Sequence, residues 1–140
     1  MFSFLLILLS VGNFVPIDNF AELDAIAGPT DFGFLLIMSG DSTANKTMEL
    51  EIIEAVEMID TGEDTRIFLY CISMNASGYS EIACLAGQYE GFPAVVCLVG
   101  HCGFLELDPT FLASEIEDAW YQWGDGSTQG ICNYCKRCNP

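Results

Sequence analysis

An α/β fold built on one mixed central sheet is the expectation from three features of this sequence. Residues 33–38, 66–72 and 94–99 are short, continuous apolar runs bounded by turn residues, the pattern of strands buried on both faces. Between the first two lies a stretch, residues 44–60, with no Gly or Pro and with apolar residues at near-helical spacing. After the third comes the turn Gly100-His101-Cys102-Gly103 and a further run, Phe104-Leu105-Glu106-Leu107, which makes a hairpin. Strands alternating with helices point to a sheet flanked by helices, and the hairpin adds antiparallel pairing to it.

The elements follow in order. Phe14-Val15-Pro16 reads as a first strand, followed by a helix entered at Asp18 or Asn19 and ending before Gly28-Pro29, with Phe20, Leu23 and Ala27 turned inward. The strand at 33–38 runs into the turn Gly40-Asp41-Ser42-Thr43, where Ser42 or Thr43 is expected to cap the long helix by accepting a hydrogen bond from its free amides. Along that helix Leu50, Ile53, Val56, Met58 and Ile59 form the expected inner side, against Glu49, Glu51, Glu54, Glu57 and Asp60 outside. A short helix over 81–89, stopped by Gly91 and Pro93, precedes the hairpin. Asp108 and Pro109 then supply an N-cap and a first helical residue for a last helix running to about Trp123. Phe111, Leu112, Ile116, Ala119, Trp120 and Trp123 form its apolar face, and Gly124-Asp125-Gly126-Ser127 ends it.

Composition narrows the function. A chain of 140 residues that is 51% hydrophobic fits one packed domain and excludes intrinsic disorder. Twenty acidic residues against four basic ones, a net charge of -16, exclude nucleic acid as a partner, because phosphate contacts need Lys or Arg. The acidity serves solubility and leaves cationic partners open. Residues 2–9 are an apolar run too short to span a bilayer, ending at Ser10-Val11-Gly12 with small residues placed for cleavage. The reading is a signal peptide over 1–12, a domain over 13–123 and a Gly/Ser/Cys-rich tail over 124–140, with no membrane span. The acceptor sequons at Asn45 and Asn75 and the seven cysteines agree with a secretory compartment, the endoplasmic reticulum lumen or the cell exterior.

Val15-Pro16-Ile17-Asp18-Asn19-Phe20 resembles the opening of domains in the protein disulfide isomerase family, and Gly91-Phe92-Pro93-Ala94 sits where thioredoxins carry Gly-Ile-Pro-Thr. Together with the element order over 14–123, these residues resemble the thioredoxin-like superfamily, in the form of a non-catalytic disulfide isomerase-like domain. The resemblance implies a thioredoxin-like fold, a cis bond before Pro93, and binding of polypeptide or a partner protein around Ser42, Thr43, Phe92 and Pro93. The family's Trp-Cys-Gly-Pro-Cys-Lys corresponds here to residues 41–46, and both cysteines are absent, replaced by Ser42 and Asn45. Dithiol exchange needs a thiolate at a helix N-terminus and a second thiol to resolve the mixed disulfide. A hydroxyl and an amide do neither, so no catalysis is expected there. Leu50 stands where the family has a helix-kinking proline.

Other chemistry resides in the cysteines. Cys132, Cys135 and Cys138 admit three readings: structural disulfides, a redox tail whose thiolates Lys136 and Arg137 favour, or a metal site completed by His101 or Cys102. Cys71 and Cys84 read as core thiols or a bridge, and Cys97 and Cys102 flank a turn across which they could pair; spacing leaves the connectivity open. His101, the single histidine, reads as an exposed turn residue. The carboxylates of the long helix lack the converging geometry of a calcium loop but could bind Ca2+ weakly and collectively. The function classes are therefore polypeptide binding, thiol oxidoreduction by the tail, and weak calcium buffering, with no cofactor expected.

Overall fold

The computed structural model describes residues 14–59, 66–89, 91–100, 103–128 and 130–131. Among them the strands are β1 (Val15–Pro16), β2 (Phe32–Ile37), β3 (Phe68–Ile72), β4 (Ala94–Val99) and β5 (Gly103–Glu106). The helices are α1 (Phe20–Ile26), α2 (Ser42–Glu57), α3 (Tyr79–Ala83) and α4 (Leu112–Trp123). The strands form one sheet in the order β1-β3-β2-β4-β5. β1 and β2 both run parallel to β3, whereas β4 lies antiparallel to β2 and β5 antiparallel to β4. This is the mixed central sheet flanked by helices that the sequence predicts.

Every residue of β2 and β4 is buried, because these central strands are covered on both faces, and their sequences are correspondingly apolar without alternation. Side chains still alternate between two cores. Phe34, Leu36 and Cys97 face Ile52 and Ala55 of α2 and Ile116 and Ala119 of α4. Leu35, Ile37, Val96 and Leu98 face Leu23 of α1 and Ile82 of α3 on the other side. Gly33 lets β2 and β3 approach: a Cβ there would lie 2.1 Å from the Phe68 carbonyl oxygen.

Several local expectations are corrected. Ile53, Val56 and Ile59 pack against the core as expected, but α2 turns Ile52 and Ala55 fully inward, while Leu50 and Met58 are 48% and 87% exposed. Apolar residues occur around most of this helix, so periodicity selects no single stripe; contact with the sheet and α4 does. The short helix ends at Ala83 rather than Tyr89. Leu85 and Ala86 continue it only through tighter i→i+3 bonds, and the chain then turns away at Gly87. Pro109–Phe111 form a 3-10 turn ahead of α4, capped by Asp108 as expected, which leaves Phe111 on the outside, 64% exposed. Asn19 caps α1 through its side chain, which accepts from the Glu22 amide. Among the described residues no helix is long and apolar enough to cross a membrane. The signal-peptide expectation for 1–12 lies outside the described residues.

Candidate functional site

The site forms where the N-terminus of α2 meets the loop that enters β4. Asp41, not Ser42 or Thr43, caps α2: its Oδ1 accepts from the Thr43 amide at 3.0 Å and the Ala44 amide at 3.1 Å. Asp caps as well as Ser does, and its charge suits the positive end of the helix dipole. Three cap-forming residues stand in succession in the sequence, and the β2–α2 loop uses the first. Ser42 and Thr43 become the first helical residues, with exposed side chains.

Asn45 folds back onto the loop. Its Oδ1 accepts from the Ser39 amide at 2.8 Å and the Ser39 hydroxyl at 3.1 Å, and its Nδ2 donates to the Ser39 carbonyl at 2.9 Å. The carboxamide is a loop clamp. Ser42 presents only a hydroxyl, which stays protonated without an adjacent base.

The Phe92-Pro93 bond is cis, as the resemblance implies, and Ala94 immediately after it pairs with Ile37. Phe92 rests against Tyr79 with ring centroids 6.2 Å apart. The Tyr79 hydroxyl in turn donates to the Met38 carbonyl. On its other side Phe92 meets Gly87, where φ is +101° and a Cβ would sit 3.1 Å from the ring. Glu106 on β5 fixes that segment: its buried carboxylate accepts from the Gly87 amide at 2.9 Å and the Gln88 amide at 3.1 Å. Phe92 is thus positioned from three elements yet remains 37% exposed.

Phe92 and Pro93 face Ala44, Thr47, Met48 and Glu51 of α2 across a cavity of about 290 Å³ that Pro109 also lines. Of the four residues predicted to bind a partner, Phe92 and Pro93 line it; Ser42 and Thr43 do not. The α2 residues that do were missed. Their signal was the i, i+3, i+4, i+7 spacing from Ala44, which places them on one helix face. A second cavity, about 360 Å³, lies at the far end of the sheet beside Asp31, Phe32, Arg66 and Asp125, residues the sequence did not single out.

The described cysteines are free thiols. Cys71 packs toward α2 on one face of the sheet, whereas Cys84 follows α3 on the other, so the bridge weighed for them is not formed. Cys97 is unpaired and wholly buried between Phe34 and Leu105, so it makes no bridge across the hairpin turn. Burial, and then the Glu49 carboxylate, pushes the Cys71 thiol up to about 11, and burial raises Cys97 as well. Neither is a nucleophile at neutral pH. His101, Cys102, Cys132, Cys135 and Cys138 lie outside the described residues.

Among the described residues no group of three or more His, Cys, Asp or Glu is arranged to hold a metal ion. The carboxylates Glu51, Glu54 and Glu57 of α2 are exposed, Glu49 is largely covered and lies 3.8 Å from Lys46, and Asp60 lies outside the described residues. The two sequons differ: Asn75 is exposed in the turn after β3, and Asn45 is half-buried.

No family model matches this chain, and no curated protein matches it. Among solved structures it is similar to a designed protein, with a TM-score of 0.55 and 11% identity over 77% of this chain and 91% of that one. It is also similar to the J-Trx1 fragment of ERdj5, with a TM-score of 0.47 and 12% identity over 81% of this chain. The chain spans about half of that fragment, 52% of its length. At 11% identity the likeness to the designed protein is one of fold alone.

Proposed function

We propose that this chain is a secretory-pathway binding domain that holds polypeptide, or an extended segment of a partner protein, against Phe92 and Pro93 and runs no dithiol chemistry at the α2 N-terminus. The observation that carries this reading is the half-exposed Phe92 ring beside cis-Pro93, braced by Tyr79 and Gly87 and facing Ala44 and Met48 across an open cavity. A fixed aromatic next to an apolar groove contributes binding surface at little entropic cost. The residues that would make the site catalytic are a hydroxyl at Ser42 and an occupied carboxamide at Asn45. The short apolar run at 2–9 followed by small residues, the two sequons and the cysteine content support the compartment.

The test pairs binding with turnover. An extended apolar peptide binds the wild-type chain and loses about tenfold or more in affinity with Phe92→Ser, since a buried aromatic anchor dominates such a site. The same preparation leaves insulin disulfides intact. Reduction of insulin that vanishes with Cys135→Ser and Cys138→Ser would move the function to the tail. Binding that is indifferent to Phe92 would remove the site.

A further inference from the structure

The cavity beside Phe92 does not end at Pro109. A neighbouring one of about 310 Å³ shares Glu51 and Pro109 with it and continues between α2 and α4 past Glu54 and Ala55 to Met58. The α2 wall is one helical stripe from Ala44 to Met58, fourteen residues along the helix. At about 1.5 Å of rise per residue that is roughly 21 Å, the length of about six residues of extended chain.

Charge says what such a chain carries. Glu51 and Glu54 are exposed on the groove wall, and among the described residues no cation pairs with either; Lys46, on the same helix, lies beside Glu49. α2 holds four glutamates to one lysine. No basic residue occupies the last turn of α2, so the negative end of its dipole adds to the field of Glu54 near the Met58 end of the groove. The apolar floor alternates with carboxylates at the rim.

We infer that the groove takes an extended polypeptide segment of about six residues in which apolar side chains alternate with lysine or arginine. The apolar residues seat against Phe92, Met48 and Ala55 while the cations meet Glu51 and Glu54. This specifies the ligand class of the site described under the proposed function and rests on that reading.

Calorimetric titration of the full chain with three six-residue peptides tests it, with apolar residues alternating with Lys, with Ser or with Glu. The Lys peptide binds about tenfold tighter than the Ser peptide at low salt, the Glu peptide binds most weakly, and the advantage shrinks as salt rises. Glu51→Gln with Glu54→Gln removes most of the advantage and leaves the fold intact by circular dichroism. Glu117→Gln with Asp118→Gln, exposed residues of α4 outside the groove, leaves it unchanged. An equal loss from that second pair would reduce the preference to diffuse net charge and overturn the inference. Equal binding of the Lys and Ser peptides, with both lost on Phe92→Ser, would overturn the cationic preference while leaving the proposed function standing. Absence of binding by all three would overturn the proposed function itself.

Discussion

Asn45 and Ser39 hold each other through three hydrogen bonds, two accepted by the carboxamide oxygen and one donated by its nitrogen. The half-buried pair ties the first turn of α2 to the end of β2, so the Asn45 side chain is occupied structurally. Asn45→Ala should lower unfolding stability by about 1–3 kcal/mol, because the Ser39 amide and carbonyl lose their partner in a partly buried loop. Chemical denaturation measures it. A change of a few tenths would mean that water replaces the clamp.

The same pair separates the two sequons. Glycosylation of Asn45 would put a sugar on a half-buried nitrogen already held against Ser39, whereas Asn75 sits in an exposed turn. Chain passed through a secretory pathway should carry glycan at Asn75 and none at Asn45, as peptide mass mapping would show. Full occupancy at Asn45 would mean that the loop opens far enough to admit a sugar at this nitrogen.

The cap of α2 gives a second stability contrast. Asp41→Ala should cost about 1 kcal/mol through the lost bonds to the Thr43 and Ala44 amides. Ser42→Ala, at an exposed first-turn position, should stay within about 0.5 kcal/mol. Thermal melts of the two variants decide between them; the reverse order would return the cap to Ser42.

Much of the fold was legible because its strongest signals are local. Continuous apolar runs marked β2, β3 and β4, Asn19 and Asp108 marked helix entries, and Gly91-Phe92-Pro93-Ala94 marked the cis bond. What escaped depends on partners distant in sequence. Nothing in the run Phe104-Leu105-Glu106-Leu107 marks Glu106 as buried, yet it is, because Gly87 and Gln88 bring two amides to it. The inner face of α2 is chosen by contact with the sheet and α4, which a helix apolar around most of its circumference does not announce. The groove lining joins α2 to Phe92 and Pro109, three segments that no sequence window contains.

Glu106→Ala should therefore be among the more damaging single changes near the site, at about 2–3 kcal/mol, since it leaves the Gly87 and Gln88 amides without their acceptor. Because Gly87 supports Phe92, peptide affinity should fall together with stability. Loss of stability with unaltered affinity would uncouple the β5 support from the aromatic platform.

The buried thiols and phenols predict an alkaline limit. Cys71 is raised from 9.0 to about 11 by burial and the Glu49 carboxylate, and burial also raises Cys97, Tyr70 and Tyr79. Each group is neutral when protonated, so the folded state holds these protons more tightly than the unfolded chain does. For Cys71 the stability is fully present below about pH 9 and is lost as pH rises toward 11. Urea midpoints should fall across that interval, less steeply in Cys71→Ser. At neutral pH the exposed Cys84 should react with iodoacetamide well before Cys71 or Cys97.

The most direct measurement of polypeptide binding at Phe92 is a two-dimensional amide NMR titration of the full chain with an extended apolar peptide. Binding at the proposed site shifts the amides of Ala44, Thr47, Met48, Glu51 and Phe92 and leaves those of Asp31, Phe32 and Asp125, which line the cavity at the far end of the sheet, in place. Shifts confined to the far cavity, or no shifts at millimolar peptide, would contradict the proposed function.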